Sequence, residues 1–215
     1  MQTATMHEAV GQIPNGASLM IGGFMGVGTP EGLVDELLRQ GKRELTVIAN
    51  DTAVPGVGIG KLVSAGAVRK VIASHIGLNP ETQQKMLAGT MEVELVPQGT
   101  LIERIRAAGF GLGGILTPTG VGTVVEEGKR KLQVDGREYL LETALHADFA
   151  LVQAFVADYF GNLTYALTAR NFNPVIAMAG DTVIVEAEQI VPVGVIPPDQ
   201  VMTPAPIVDY LTRKA

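Results

Sequence analysis

Apolar positions along the chain fall into two alternating periods. Compact apolar runs at 18–21, 45–49, 68–73, 93–96, 149–156 and 182–185 have the length and continuity of strands buried on both faces. Between them lie amphipathic stretches with helix punctuation. Thr29 can cap a helix opened by Pro30, with Glu31 in its first turn, Leu33, Val34, Leu37 and Leu38 on one face, and Gly41 closing it. Asn79-Pro80-Glu81 repeats that opening and Gly89 ends the segment. A third helix spans 100–108, with Leu101, Ile102 and Ile105 on one side. Strand–helix–strand alternation predicts a largely parallel sheet covered by helices. One interruption is a hairpin, where Asp135-Gly136 stands between alternating flanks over 132–141. The predicted fold class is α/β, a largely parallel sheet flanked by helices with an added antiparallel hairpin, in a single domain over 1–215.

Composition sharpens this. Charged residues make up 18% of the 215 positions, against about 25% in ordinary soluble domains, and hydrophobic residues 47%. So low a charged fraction predicts that another chain covers part of the apolar surface. The 26 glycines, in a sequence without low-complexity tracts, belong to specific turns and loops. The net charge of −6 and a single basic cluster, Lys129-Arg130-Lys131, argue against nucleic acid, which needs many clustered cations. That cluster reads as a solvated approach to the hairpin. Absence of cysteine excludes a disulfide framework, a thiolate nucleophile and a Cys-ligated metal site. No apolar run approaches the ~18 residues of a spanning helix, and 1–8 lacks a basic-then-apolar leader. The expectation is a soluble, cytoplasmic protein without membrane contact.

The candidate chemistry sits in loops. Gly22, Gly23, Phe24, Met25, Gly26, Val27 and Gly28 join an apolar run to the helix at Thr29. This is either a tight strand-to-helix turn or an anion cradle of backbone N–H groups at a helix N-terminus. Gly56-Val57-Gly58-Ile59-Gly60-Lys61 fails as a P-loop, because Pro55 and Leu62 stand where Gly and Ser/Thr are required. Gly109 to Gly114 matches G-x-G-x-x-G but follows a helix and leads to Leu116-Thr117-Pro118, the wrong context. Ser18, Ser64 and Ser74 are in no nucleophile elbow, and His7, His75 and His146 lack metal spacing. No metal site is expected. Gln98, in Val96-Pro97-Gln98-Gly99, stands beyond a strand end and before a helix, where ligands bind in open α/β sheets. It is a local cap or a fixed amide facing a ligand. Asn50 and Asp51 end their strand in the same way. Strand-end polar groups with glycine loops and no nucleophile suggest half of an active site.

Several segments together resemble the alpha subunit of family I 3-oxoacid CoA-transferases, nearest the acetate/butyrate–acetoacetate branch. They are Gly22 through Pro30, Ala49-Asn50-Asp51-Thr52-Ala53, Ala73-Ser74-His75-Ile76-Gly77 with Asn79-Pro80-Glu81-Thr82, Val96-Pro97-Gln98-Gly99-Thr100-Leu101, Leu116 through Gly128, and Ala169-Arg170-Asn171-Phe172-Asn173-Pro174. One departure is Thr203-Pro204-Ala205, where the family usually has Thr-Pro-Gly. The resemblance implies a fold shared with sugar-phosphate isomerases and a heteromer, commonly two alpha and two beta chains. It also implies a catalytic glutamate on the beta chain, with CoA and acyl-CoA as substrates and no permanently bound cofactor. On this chain it implies that Gly22–Gly28, Asn50 and Asp51 line the CoA/acyl site and that Gln98 faces the glutamate. The alternatives are a 3-oxoadipate/succinyl-CoA transferase subunit, which needs positive charge near the acyl pocket, a non-catalytic acyl-CoA or sugar-phosphate sensor, and a sugar-phosphate isomerase.

Overall fold

The computed structural model describes residues 1–214. The chain runs β1 (Gln2–Thr3), α1 (Met6–Gly11), β2 (Ser18–Ile21), α2 (Glu31–Arg39), β3 (Leu45–Asp51), α3 (Ile59–Ser64), β4 (Val68–His75), α4 (Pro80–Leu87), β5 (Glu92–Leu95) and α5 (Gln98–Gly109). Then follow β6 (Gly114–Thr117), β7 (Lys131–Val134), β8 (Arg137–Thr143), β9 (Ala147–Asp158), β10 (Leu163–Thr164), α6 (Asn173–Ile176), β11 (Gly180–Val191) and β12 (Tyr210–Arg213). The main sheet has the order β1-β12-β11-β9-β2-β3-β4-β5, every neighbouring pair parallel, and β10 pairs antiparallel with β9. A separate three-stranded antiparallel sheet has the order β6-β8-β7.

Alternation along the strands explains the two-sided burial. Leu19, Ile21, Val47, Ala49, Val71 and Ala73 pack with α1, α2 and α3, whereas Met20, Ile48 and Ile72 pack on the other face with α5 and α6. The β7–β8 hairpin turns at Asp135 (φ 49°) and Gly136 (φ 75°), both left-handed as a two-residue type I′ turn requires. Within the basic cluster, Lys129 pairs with Glu142 at 2.6 Å and Lys131 with Glu126 at 3.2 Å. Ala205 is not at positive φ, so the departure from Thr-Pro-Gly places no strain on the backbone there. No helix among the described residues is long and apolar enough to cross a membrane.

Three sequence expectations shift. The helix expected from residue 100 begins at Gln98, with Pro97 as its N-cap. Gly99 stands in the first turn and not in the helix interior, where glycine's backbone freedom is most costly. The strand expected at 182–185 extends over Gly180–Val191, its apolar run broken by the glutamates at 186 and 188. Thr29 does not cap α2. Pro30 is the N-cap and carries no side-chain cap bond.

The cap comes instead from Glu186 on β11, whose carboxylate accepts from Leu33 N at 3.0 Å and from Gly32 N. Glu186 is 1% exposed, its other oxygen has no partner, and burial pushes its carboxyl above the ordinary glutamate value. With the folded-state value raised, the folded chain holds the proton after the unfolded chain has released it. The contribution of Glu186 to stability is therefore full below the ordinary carboxylate range and is lost as pH rises through the raised value. Glu186→Gln keeps an acceptor for the two N–H groups and cannot ionise. Its melting temperature is expected to stay level where the wild type declines, and to exceed the wild type at the alkaline end of that window. A variant that declines in parallel with the wild type refutes this account of the cap.

Candidate functional site

The carboxyl ends of β2, β3 and β4 and the start of α5 enclose a cavity of about 360 Å³. Phe24 and Met25 enter it from the loop after β2, Asn50 and Asp51 from the end of β3, Ser74 and His75 from the end of β4, and Gln98 from the first turn of α5. Sheet order places it well. The chain moves outward from β2 to β5, then returns on the other side of β2 through β9, so the loop after β2 lies at the reversal of strand order. Open α/β sheets bind ligands at such a switch point, outside the carboxyl ends of the strands. A larger groove, about 660 Å³, opens beyond β9 and β11, lined by Phe155, Leu167, Val195 and Met202 together with Arg170, Gln189, Asp199 and Gln200. Its place at the switch point, with polar groups converging from three strand ends, favours the smaller cavity.

Those polar groups form one network. Gln98 Nε2 donates to Asn50 Oδ1 at 2.5 Å, and Asn50 Nδ2 donates to Asp51 Oδ2 at 2.7 Å. Asp51 also accepts from Met25 N at 2.9 Å and from Ala53 N at 2.7 Å. Ser74 Oγ donates to the Asn50 carbonyl at 2.8 Å. The Ser74 hydroxyl is thus engaged in structure, and no Ser74–His75 hydrogen bond occurs among the described residues. Side chains of successive strand residues point to opposite faces, yet both Ser74 and His75 reach the cavity because it lies past the strand end.

The glycine loop is folded on itself. Phe24 N donates to Val27 O and Val27 N to Phe24 O, each at 2.9 Å, closing a turn with Met25 (φ 51°) and Gly26 (φ 86°) at its centre. Asn173, fully buried, fastens both ends of the loop. Its Nδ2 donates to Gly28 O at 2.9 Å, and a Cβ on Gly22 would lie 1.9 Å from its Oδ1. The helix N-terminus behind the loop does not complete an anion cradle, because Glu186 already occupies its N–H groups. What the loop offers a ligand is its backbone and the Phe24 and Met25 side chains.

The other glycine stretches are structural. A Cβ at Gly60 would lie 2.0 Å from Val54 O, so the 56–61 loop needs glycine for close packing, and Lys61 is spent on Glu31 and Asp35, both at 2.7 Å. Gly109–Gly114 is the exit from α5 into β6. Glu92 and Glu94, on the edge strand β5, pair with Lys70 of β4. His7 lies 3.0 Å from Glu36 and His146 is exposed, both remote from the cavity lining. Sequence reasoning did not assign Asn173 to the site. It stands 145 residues from Gly28, and nothing local to it signals that contact.

A family model described as Coenzyme A transferase matches residues 3–214. The chain belongs to that family. It is 57% identical over 207 residues to the acetate CoA-transferase subunit alpha of Escherichia coli, covering 96% of this chain and 94% of the relative. It is 50% identical over 200 residues to the acetoacetyl-CoA:acetate/butyrate CoA transferase alpha subunit of Clostridium acetobutylicum, covering 93% and 92% of the two chains. Among solved structures, an acyl-CoA transferase from Escherichia coli O157:H7, as a thioester complex with CoA, superposes with a TM-score of 0.84 at 25% identity. That match covers 99% of this chain and 47% of the solved one, so this CoA-transferase chain spans about half of that polypeptide. Naming the two relatives alpha subunits implies a second, beta-type chain. CoA thioesters are the substrates of such a transferase.

Proposed function

We propose that this chain is the alpha subunit of a heteromeric enzyme, two alpha and two beta chains, that moves CoA between acetoacetyl-CoA and acetate or butyrate. The observation that carries this reading is the cavity at the ends of β2, β3 and β4. It presents an oriented amide, Gln98, while among the described residues its one hydroxyl, Ser74, and its one carboxylate, Asp51, are engaged by this chain's own groups. The attacking group then belongs to the partner. A beta-chain glutamate carboxylate attacks the thioester carbonyl and expels CoA thiolate, leaving a mixed anhydride. The thiolate attacks the glutamyl carbonyl and releases the first carboxylic acid as its carboxylate. The second acid retraces both steps and collects CoA. Covalent catalysis divides one hard exchange into easier ones. Each attack creates an oxyanion, and the free N–H of the Gln98 amide supplies a donor towards it. Gly22–Gly28, Asn50 and Asp51 form this chain's wall of the acyl site.

Supporting the substrate class, no lysine or arginine lines this chain's share of the cavity among the described residues, which suits a monocarboxylic acid better than a dicarboxylate. Supporting the partner, Phe155, Leu167 and Val195 expose large apolar side chains beside the larger groove, with Leu167 83% exposed. The test is turnover from acetoacetyl-CoA with acetate, butyrate, succinate and 3-oxoadipate as acceptors, using the chain alone and co-expressed with a beta-type chain. The expected result is no turnover alone, and turnover with acetate and butyrate once assembled. CoA exchange by the isolated chain overturns the division of labour, and a preference for a dicarboxylate overturns the substrate assignment.

A further inference from the structure

Asp51 lines the cavity, yet its carboxylate faces the protein. The side chain is 6% exposed and accepts three hydrogen bonds, from Met25 N, Asn50 Nδ2 and Ala53 N. Its oxygens are consumed by donors of this chain, so a substrate finds little of it to bind. What the three bonds join is informative. Met25 is a non-glycine residue at φ 51°, a conformation that keeps its Cβ close to its own carbonyl oxygen. Its N–H has an acceptor only because Asp51 reaches across from β3. The Asn50 amide is held by the same oxygen.

The polarity of the network follows from one fact, that a carboxylate only accepts. Asn50 must turn Nδ2 towards Asp51, which leaves Oδ1 facing Gln98. Gln98 must then present Nε2 to that oxygen, at 2.5 Å, and the second N–H on the same nitrogen stays free. One buried acceptor thus sets the orientation of two amides in series, the second on a different element. Without it the Asn50 amide is free to reverse. Gln98 would then offer Asn50 its oxygen and carry its donor nitrogen away.

We propose that Asp51 is a positioning residue for the CoA-transfer reaction: by fixing the Asn50 amide and the Met25 turn it orients the Gln98 donor towards the reacting carbonyl. This rests on the role given to Gln98 above. It separates Asp51 from the substrate-contacting residues of the loop and makes its contribution one of orientation.

Asp51→Leu is the informative change, since it keeps much of the side-chain shape and removes both acceptor oxygens, the one that takes Ala53 N and the one that takes Met25 N and Asn50 Nδ2. In the assembled enzyme kcat is expected to fall by up to about 10²-fold, the scale of a misplaced catalytic geometry, with the KM for acyl-CoA little changed. A role acting through Gln98 also makes the two changes non-additive, so the D51L/Q98A double variant turns over no more slowly than Q98A alone. Asn50→Ala cuts the same link without touching Asp51 and carries the test if D51L does not fold; it is expected to show the same loss and the same non-additivity. An unchanged kcat in Q98A overturns the reading of Gln98 and this inference with it. A normal loss in Q98A beside an unchanged kcat in D51L (or in N50A, where that variant stands in), or a defect that adds in full to that of Q98A, overturns the inference alone.

Discussion

Gln98→Ala, in the enzyme assembled with its beta chain, is expected to lower kcat by ~10²–10³-fold, the usual consequence of removing one oxyanion donor and equivalent to about 2.7–4 kcal/mol of activation energy. The size follows from the role proposed for the amide. Charge appears on the thioester or anhydride oxygen only as the tetrahedral intermediate forms. A donor held in place beforehand reorganises little at that moment. Gln98 is held in place: it opens α5 immediately after Pro97, and Asn50 Oδ1 fixes its nitrogen at 2.5 Å. Its side chain lies at the cavity rim and supports no buried cluster, so truncation should leave folding and subunit assembly intact. The measurement is steady-state kinetics of the co-purified variant beside size-exclusion chromatography. Wild-type turnover in a fully assembled variant contradicts the oxyanion role. Failure to assemble identifies Gln98 as an interface residue instead.

Gly28→Ala is expected to destabilise the chain by roughly 2–5 kcal/mol, the sum of placing a side chain in a left-handed conformation and overpacking a filled site. Gly28 sits at φ +80°, and a Cβ there would lie 2.6 Å from the Ala169 Cα and 2.5 Å from its Cβ. Backbone on the far side leaves no flexible side chain to yield. Asn173 cannot withdraw either. Its Nδ2 is committed to Gly28 O and Ala169 O, and its Oδ1 to Gln153 N, at full burial. The strain therefore spreads into the loop that carries Phe24 and Met25. Urea unfolding should show the lost stability, and acyl-CoA should bind more weakly to whatever folds. A Gly28→Ala chain as stable as the wild type contradicts the close approach at Ala169.

Read as sequence, the 22–28 stretch looked like two things at once, a turn or an anion cradle, and both contained part of the outcome. The glycines at 23, 26 and 28 do stand at positive φ, as a tight loop requires. The helix N-terminus behind them is closed, because a glutamate more than 150 residues along the chain caps it. No local pattern announces such a partner. Likewise the helix expected from residue 100 left Gln98 in the loop before it, whereas the helix takes Gln98 and Gly99 into its first turn. The buried Glu186 of β11 hid half of a central strand for a similar reason. A charged residue signals exposure unless something distant satisfies it.

By itself the sequence determined the period of its elements, the parallel sheet buried on both faces, the hairpin at Asp135-Gly136, and the lack of any cysteine nucleophile. Those are local matters of spacing, turn chemistry and composition. It also brought forward Asn50, Asp51 and Gln98, because residues at strand ends converge in any such sheet. The tertiary structure alone decided how they bond to one another: Gln98 with a free N–H, Asn50 as the link, Asp51 turned inward onto Met25. It alone brought Asn173 under both ends of the glycine loop. Hydrogen-bond polarity and close backbone approach depend on atoms that the fold brings together from far apart in the chain, and no window along a sequence contains them.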